Sequence, residues 1–229
     1  MNKFIALIPA YKPDEKLISL VHELKEKNFE IIIVNDGSGK QYEKIFESIK
    51  MNAKIISYET NKGKGGALKE GLKYIKNNYT PNSIIVTMDC DGQHLVKDAI
   101  RLCEKVDGEN ILVIGKRTGN KKIPLRSQIG KNITRKVFYM VTKVKIYDTQ
   151  VGLRAFNYNM IDFLLEISGN KYEYEMQVLL ECTTRKIKIE EVEIETIYID
   201  NNSGSHFSAI KDSFKIYKEI VKFVLKIKK

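Results

Sequence analysis

Through the first half of the chain, short apolar, β-branched runs alternate with longer stretches of helical period. FIALI, EIIIVND, KIISY, SIIVTMD and NILVIG are apolar almost throughout. Between them lie DEKLISLVHELKEKN, KQYEKIFESIK, GGALKEGLKYIKNN and LVKDAIRLCEKV, whose apolar residues recur at spacings of three and four. Leu17, Leu20, Val21 and Leu24 make one such stripe. Strands with no polar face are buried on both sides, as in a parallel sheet covered by helices. The alternation therefore predicts an α/β fold: an open, twisted, mostly parallel sheet flanked by helices, with ligands bound beyond the carboxyl ends of the strands. The second half is less regular. SQIGKNITRKVFYMVTKV and YEYEMQVLLECTTR read as helices, QVGLRAFN as a short strand or loop, and IKIEEVEIETIYI as a long strand. From Phe207 onward the pattern is again helical, and this half adds mixed strands to the same domain.

Composition narrows the class. A chain of 229 residues with 43% apolar content builds one sizeable core and falls short of two comfortable domains. The three cysteines, Cys90, Cys103 and Cys182, are scattered and odd in number. That argues against a disulfide framework and a zinc site, and suits a reducing compartment. MNKFIALIPAYKPDEK has the form of a first strand and not of a signal peptide. No apolar run approaches the ~18 residues that cross a bilayer, so the expected location is cytoplasmic. The net charge of +10 raises the question of nucleic acid, but no nucleic-acid motif accompanies it. Part of the excess falls in KDSFKIYKEIVKFVLKIKK. Here Phe207, Ile210, Phe214, Tyr217, Val221 and Val224 form an apolar face beside a stripe of lysines at 211, 215, 218, 222, 226 and 229. That is the pattern of an interfacial helix on anionic lipid. A helix packed on the core with its lysines in water would show the same spacing.

Polar signals gather just after the strands, where this architecture builds its site: PAYKPDE, VNDGSG, NKGKGGA and DCDGQH, in that order. Singly they are weak. A D-G-S is usually a turn, and GKGG matches neither the dinucleotide fingerprint nor the P-loop. Four in register at successive strand ends are hard to explain as turns. Asp89 and Asp91 are alternate residues, so on an extended backbone both carboxylates leave one side, while Met88 and Cys90 point the other way. With the nearby amide of Gln93 they suit Mg²⁺ or Mn²⁺ shared with substrate phosphates. The plainer alternative is a pair of aspartates capping the helix that starts near Leu95. Calcium fails on spacing: an EF-hand loop needs glycine sixth and glutamate twelfth, whereas from Asp89 Gly92 falls fourth and Ile100 twelfth. The haloacid dehalogenase phosphatases also end a strand in aspartate, any residue, aspartate and glycine. They do so on the first strand and continue with threonine; here three strand–helix units come first and Gln93 comes after the glycine.

Taken together, IPAYKPDE, IIIVNDGSG, NKGKGGALKEGL and TMDCDGQH resemble a family 2 glycosyltransferase of the GT-A fold, a Rossmann-like sheet, with the central aspartates as its D-x-D motif. DTQVGLRAFN, YEYEM and YIDNNSGSHF resemble the polyprenyl-phosphate hexosyltransferase branch, which includes dolichol-phosphate mannose synthases. The resemblance implies that Pro9, Ala10 and Tyr11 line the nucleobase pocket, with Asp14 or Glu15 nearby. It implies that Asp36 hydrogen-bonds base or ribose, and that Gly63 and Gly65 allow close backbone approach. Asp89 then sits by ribose or metal, Asp91 and Gln93 bind metal and diphosphate, and Arg117 and Arg126 hold phosphates of donor or acceptor. Arg154 pairs equally well with a buried carboxylate. The implied reaction is metal-dependent and inverting, moving a hexose from a UDP- or GDP-linked donor to polyprenyl phosphate.

A hydroxyl acceptor needs a base during attack; a phosphate monoester, with a second pKa near ~6, does not. Glu173, Glu175 and Asp148 are the candidate bases. His206, with Ser205 in a glycine- and serine-containing loop, is a candidate contact to acceptor phosphate or leaving diphosphate, and His94 lies just past the metal motif. The expected organisation is a GT-A domain over 1–206 and a C-terminal basic amphipathic helix over 207–229. The chain is expected to be peripheral on the inner face of the cell membrane, beside anionic lipid and a membrane-embedded partner protein. Two other functions share these features: extension of a cell-surface glycan at a sugar hydroxyl, and non-catalytic binding of a nucleotide sugar.

Overall fold

The computed structural model describes residues 3–108, 110–117 and 125–195, the backbone alone for 125–132. Seven strands and seven α-helices succeed one another as β1 (Lys3–Ala10), α1 (Lys16–Glu26), β2 (Glu30–Asp36), α2 (Glu43–Ile49), β3 (Lys54–Tyr58), α3 (Lys64–Asn78), β4 (Ser83–Thr87), α4 (Val96–Glu104), β5 (Ile111–Arg117), α5 (Leu125–Thr142), β6 (Arg154–Asn157), α6 (Ile161–Glu166), α7 (Glu173–Thr184) and β7 (Lys188–Ile194) among the described residues. They form one sheet in the order β3-β2-β1-β4-β6-β5-β7. Every pairing is parallel except those of β6, which runs antiparallel to β4 and to β5. The mostly parallel α/β sheet expected from the apolar runs is therefore the observed one.

The reversal of β6 brings distant sequence to one edge. Arg154, its first residue, lies opposite Thr87, the last residue of β4. The segment that enters β6 is thus delivered to the edge where β1, β2, β3, β4 and β5 all end. Residues some sixty positions apart along the chain meet there, as Thr87 and Gly152 do through a hydroxyl-to-carbonyl bond of 2.9 Å.

Burial obeys the pattern that predicted the elements. Ile5, Leu7, Ile32, Ile33, Ile85 and Val86 are fully enclosed, as strands covered on both faces require. Leu17, Leu20, Val21 and Leu24 form the buried stripe of α1. Each such side chain contributes about 1.5–3 kcal/mol of burial. Gly71 lets α3 lie close on β1: a Cβ there would stand 2.2 Å from Leu7 Cδ1.

Four segments depart from the expectation or add to it. In KQYEKIFESIK only Glu43–Ile49 is α-helical, preceded by a single 3₁₀ turn at Lys40–Tyr42. Of QVGLRAFN, expected as a short strand or loop, Arg154–Asn157 is strand, because β6 fills the gap between β4 and β5. The short α6 had no periodicity long enough to announce it, and is held by the burial of Ile161, Phe163 and Leu164. Of IKIEEVEIETIYI, Lys188–Ile194 is strand; the remainder after Glu195, with His206 and the helix expected over 207–229, lies outside the described residues. No helix among the described residues is long and apolar enough to cross a membrane.

Candidate active site

Two carboxylate centres occupy the strand ends. The first is Asp36, the last residue of β2, which is 3% exposed. Its Oδ1 accepts from the Tyr58 hydroxyl at 2.7 Å and from the Lys62 amide at 2.7 Å. Its Oδ2 accepts from Asn61 Nδ2 and the Gly63 amide, both at 2.9 Å. These bonds fasten the loop between β3 and α3 to the end of β2. Burial, and then the bond to Asp36, raise the Tyr58 phenol well above its ordinary range. The close approach that Gly63 and Gly65 permit is to protein: a Cβ at Gly63 would meet Asn170 O at 2.6 Å, and one at Gly65 would meet Tyr174 Cβ at 2.5 Å. Gly63 also has φ +88°, which favours glycine.

The second centre lies just past β4. Asp89 Oδ1 receives the Lys64 ammonium at 2.6 Å, and the same ammonium reaches Glu175 Oε2 at 3.0 Å. Asp89 Oδ2 faces His94 Nε2 at 3.3 Å. Burial opposes the charge on Asp89, but Lys64 and then His94 hold its carboxyl well below the usual carboxylate range. Burial alone would lower the Lys64 pKa; Asp89 and Glu175 together raise it instead. Gly152, just before β6, packs on this pair, since a Cβ there would stand 2.4 Å from Asp89 Oδ2 and 2.8 Å from Lys64 Nζ. Arg154, 4% exposed, donates to the backbone oxygens of Glu175 at 2.7 Å and Val151 at 3.0 Å. Its Nε also stands 3.9 Å from Glu175 Oε1. That oxygen has no hydrogen-bond partner, and Glu175 is among the residues lining a cavity of about 20 Å³, room for a single water.

Asp91 is differently placed. It accepts the Gln93 amide at 3.0 Å in a turn and makes no ion pair among the described residues. Burial, and then the charge of Asp89, push its pKa above the ordinary carboxylate value. Neither aspartate caps α4, whose N-cap is Leu95 with no side-chain bond. A half-buried carboxylate that makes no ion pair is one that a divalent metal ion could neutralise, and Asp91, with Gln93 and Asp89 each two residues away along the chain, is the residue that would hold it.

The remaining expected residues spread around these centres. Pro9 and Ala10 end β1. Tyr11 comes next, and then Lys12, which adopts a left-handed φ of 52°; its amide donates to Ser38 Oγ at 2.9 Å, joining the β1 and β2 loops. Cys90 faces the Tyr11 backbone, and burial, then Asp89 and Asp91, push its thiol up to about 12. Glu15 is the exposed N-cap of α1. Arg117 ends β5 in a two-bond pair with Asp148: Nε to Oδ2 at 2.5 Å and Nη2 to Oδ1 at 2.9 Å. Glu173 Oε1 accepts the amides of Asn170 and Lys171 at 3.3 and 3.1 Å. The Arg126 side chain and His206 lie outside the described residues. An open cleft of about 670 Å³ between α2 and the ends of β2 and β3 is walled by Asn35, Ser38, Lys40, Phe46 and Tyr58, among others. Lys64 and Gly152 are the site residues that sequence reasoning missed. Both sit in strand-end or loop motifs, NKGKGGA and DTQVGLRAFN, but a lysine between glycines reads as solvated until the fold brings carboxylates to it.

The backbone is similar to that of glucosyl-3-phosphoglycerate synthase from Mycobacterium tuberculosis, solved with Mn²⁺, UDP and phosphoglyceric acid. The TM-score is 0.69 at 17% identity, over 98% of this chain and 78% of that one. This likeness defines the class of fold, a GT-A sheet, as the strand-end motifs implied. The chain belongs to glycosyl transferase family 2, whose family model matches residues 5–164; it is a glycosyltransferase. Among its relatives is the UDP-N-acetylglucosamine–dolichyl-phosphate N-acetylglucosaminyltransferase of Methanococcus voltae, 30% identical over 92% of each chain. Another is the dolichyl-phosphate β-glucosyltransferase of Saccharomyces cerevisiae, 25% identical over 94% of this chain and 72% of that one.

Proposed function

We propose that this protein transfers a hexose from a UDP- or GDP-linked donor to a polyprenyl phosphate, with inversion, at the inner face of the cell membrane. The observation that carries this reading is the condition of the three candidate bases. Glu175 is tied to Lys64, Glu173 to two loop amides, and Asp148 to Arg117. A sugar hydroxyl needs a carboxylate beside it to take its proton. A phosphate acceptor with a second pKa near ~6 arrives as an oxyanion and needs only to be held. Glu175 Oε1 and Glu173 Oε2 carry no hydrogen bond, but both oxygens are buried in the protein, so a site whose exposed carboxylate oxygens are already engaged suits the second kind of acceptor. The dolichyl-phosphate transferases among its relatives support the same class.

Within this reading Asp91 and Gln93 hold Mg²⁺ or Mn²⁺, with Asp89 beside them. The metal supplies charge stabilisation to the departing diphosphate, where negative charge grows in the transition state. Arg117, oriented by Asp148, and Arg126 hold phosphate. Pro9, Ala10, Tyr11 and Glu15 lie on the donor side. Asp36 acts there by fixing the loop at 61–63 that carries Gly63 and precedes Lys64. His206 and the lysine stripe of 207–229 are assigned to acceptor phosphate and anionic lipid, beside a membrane-embedded partner.

The test is transfer of labelled sugar from the best nucleotide donor to polyprenyl phosphate, with each variant checked for folding. General-base help is worth ~100- to 10,000-fold. Glu173→Gln and Glu175→Gln should therefore stay within about tenfold of wild type if no base is used. Arg117→Ala and Arg126→Ala should lose most activity, chiefly through a raised KM if the contact is made in the ground state. A dead glutamine variant alongside two working arginine variants would overturn the lipid-phosphate reading in favour of a hydroxyl acceptor.

A further inference from the structure

We infer that the outer side of α5 from Ile133 onward, with the segment up to Tyr147, is a surface that lies on an anionic lipid bilayer. It is separate from the contact assigned to 207–229, and the inference rests on the proposed lipid-linked acceptor. Charge points to it first. Between Glu109 and Asp148 the chain has no Asp or Glu and ten Lys and Arg, as much as the net charge of the whole protein, +10. All the rest of the chain taken together is therefore neutral. The transfer reaction uses Arg117 and Arg126 and leaves eight of these cations without a role.

α5 also has two apolar sides. Phe138 and Thr134 are buried and hold the helix on the body. Ile133, Val137 and Met140 stand together about a third of a turn away, at ~100° per residue. Ile133 is 47% and Met140 61% exposed. Of the five large apolar side chains exposed among the described residues, four (Ile133, Tyr139, Met140 and Tyr147) fall in this one segment. Lys136, Lys143 and Lys145 are exposed beside them and make no ion pair among the described residues. The Tyr147 ring sits between cations, with Lys116 Nζ at 4.4 Å and the Arg135 guanidinium at 5.4 Å from its centre.

Charge selects the occupant. A second copy docked by the same face would set lysine against lysine. The segment 207–229 has seven lysines and two acids, so it opposes this surface as well. A nucleic acid would neutralise the lysines but leave Ile133 and Met140 in water. Anionic headgroups take the lysines, the acyl boundary takes the aliphatic side chains, and tyrosine rings sit at the level between. Asp148 follows Tyr147 directly and pairs with Arg117. A bilayer on this surface therefore meets the protein beside the arginine proposed to hold phosphate.

The experiment is sedimentation of the full chain with vesicles of phosphatidylcholine, with and without phosphatidylglycerol. Wild type should bind the anionic vesicles more tightly, and salt should weaken that binding. Replacing Lys136, Lys143 and Lys145 together by Gln should cost about fivefold per lysine, about a hundredfold in all, on anionic vesicles only. Ile133→Ser with Met140→Ser should weaken binding to both kinds of vesicle by about tenfold. A control that replaces Lys25, Lys27 and Lys44, exposed on α1, just after it and on α2, by Gln should bind like wild type. Both α5 variants should transfer sugar to polyprenyl phosphate normally in detergent and poorly in vesicles. Anionic binding by the α5 lysine variant equal to that of wild type overturns the inference, as does an equal loss in the control. A wild-type dimer that Ile133→Ser with Met140→Ser dissociates, with vesicle binding unchanged, gives the face to a second copy and overturns it too. Vesicle binding that depends on α5, in a protein that transfers nothing to polyprenyl phosphate even in detergent, upholds the surface and overturns the proposed acceptor.

Discussion

Asp36 and the Asp89–Asp91 pair stand at the ends of two strands of the same sheet and have opposite characters. Around Asp36 the partners are neutral donors: a phenol, an amide side chain and two backbone N–H groups, all within one short loop and strand end. Every oxygen is satisfied, so the centre is closed and serves to shape the loop that precedes α3. Around Asp89 the partners are Lys64 of α3, which Glu175 of α7 shares, and His94, with the backbone at Gly152 packed against them, and Asp91 makes no ion pair among the described residues. A saturated carboxylate builds structure; one left uncompensated beside it binds something. The residue type and its place at a strand end are the same in both cases, and the count of donors makes the difference.

The largest expected effect separates the centres by activity. Asp91→Asn should reduce sugar transfer by about a hundred- to a thousandfold with circular dichroism unchanged, and EDTA should reproduce the loss in wild type. Full activity of a metal-stripped enzyme would place the two centres on the same structural footing. Next in size is Asp36→Ala, which strips partners from Tyr58, Asn61, Lys62 and Gly63. Unpartnered buried donors cost about 1–3 kcal/mol each; partial rehydration at the loop should leave a net loss of about 3 kcal/mol in denaturant unfolding. An unfolding midpoint equal to wild type would show that the loop holds itself.

The smallest effect has the opposite sign. Asp91 has a folded pKa raised by burial and by Asp89, so the native state binds its proton more tightly than the unfolded chain does. Its ionisation therefore destabilises the metal-free fold at neutral pH, and the penalty disappears as pH falls below the unfolded value of about 3.9. Asp91→Asn should accordingly stabilise the metal-free protein by roughly 1 kcal/mol at pH 7, a gain lost near pH 3. Asp89, with its pKa lowered by Lys64 and His94, behaves in reverse: its contribution is present above the unfolded value and lost as pH falls through the folded one. Melting curves from pH 3 to 7 distinguish the two. A Tm for Asp91→Asn below that of wild type at pH 7 would mean that Asp91 has a cationic partner.

The strands and helices up to α4 were legible because strands buried on both faces leave a continuous apolar run, and the amphipathic helices between them repeat at a different period. The four polar motifs were legible as a set because a parallel sheet brings successive strand ends to one edge. The same reasoning assigned chemistry to Asp89, Asp91 and Asp36, but gave no sign that the oxygens of Asp36 also hold the loop before α3. Motif position alone does not say which neighbours a carboxylate will find.

Local pattern in the sequence thus determined the sheet, its covering helices and the edge at which chemistry gathers, because side-chain burial repeats with the period of each element. Tertiary structure alone decided that β6 would run backwards between β4 and β5. It thereby brought Gly152 against Asp89, and the packing of α7 beside α3 brought Glu175 to Lys64. Ion pairs between residues so far apart leave no periodic trace. They exist only because an enclosed ammonium must find carboxylates, and the fold determines which ones are within reach.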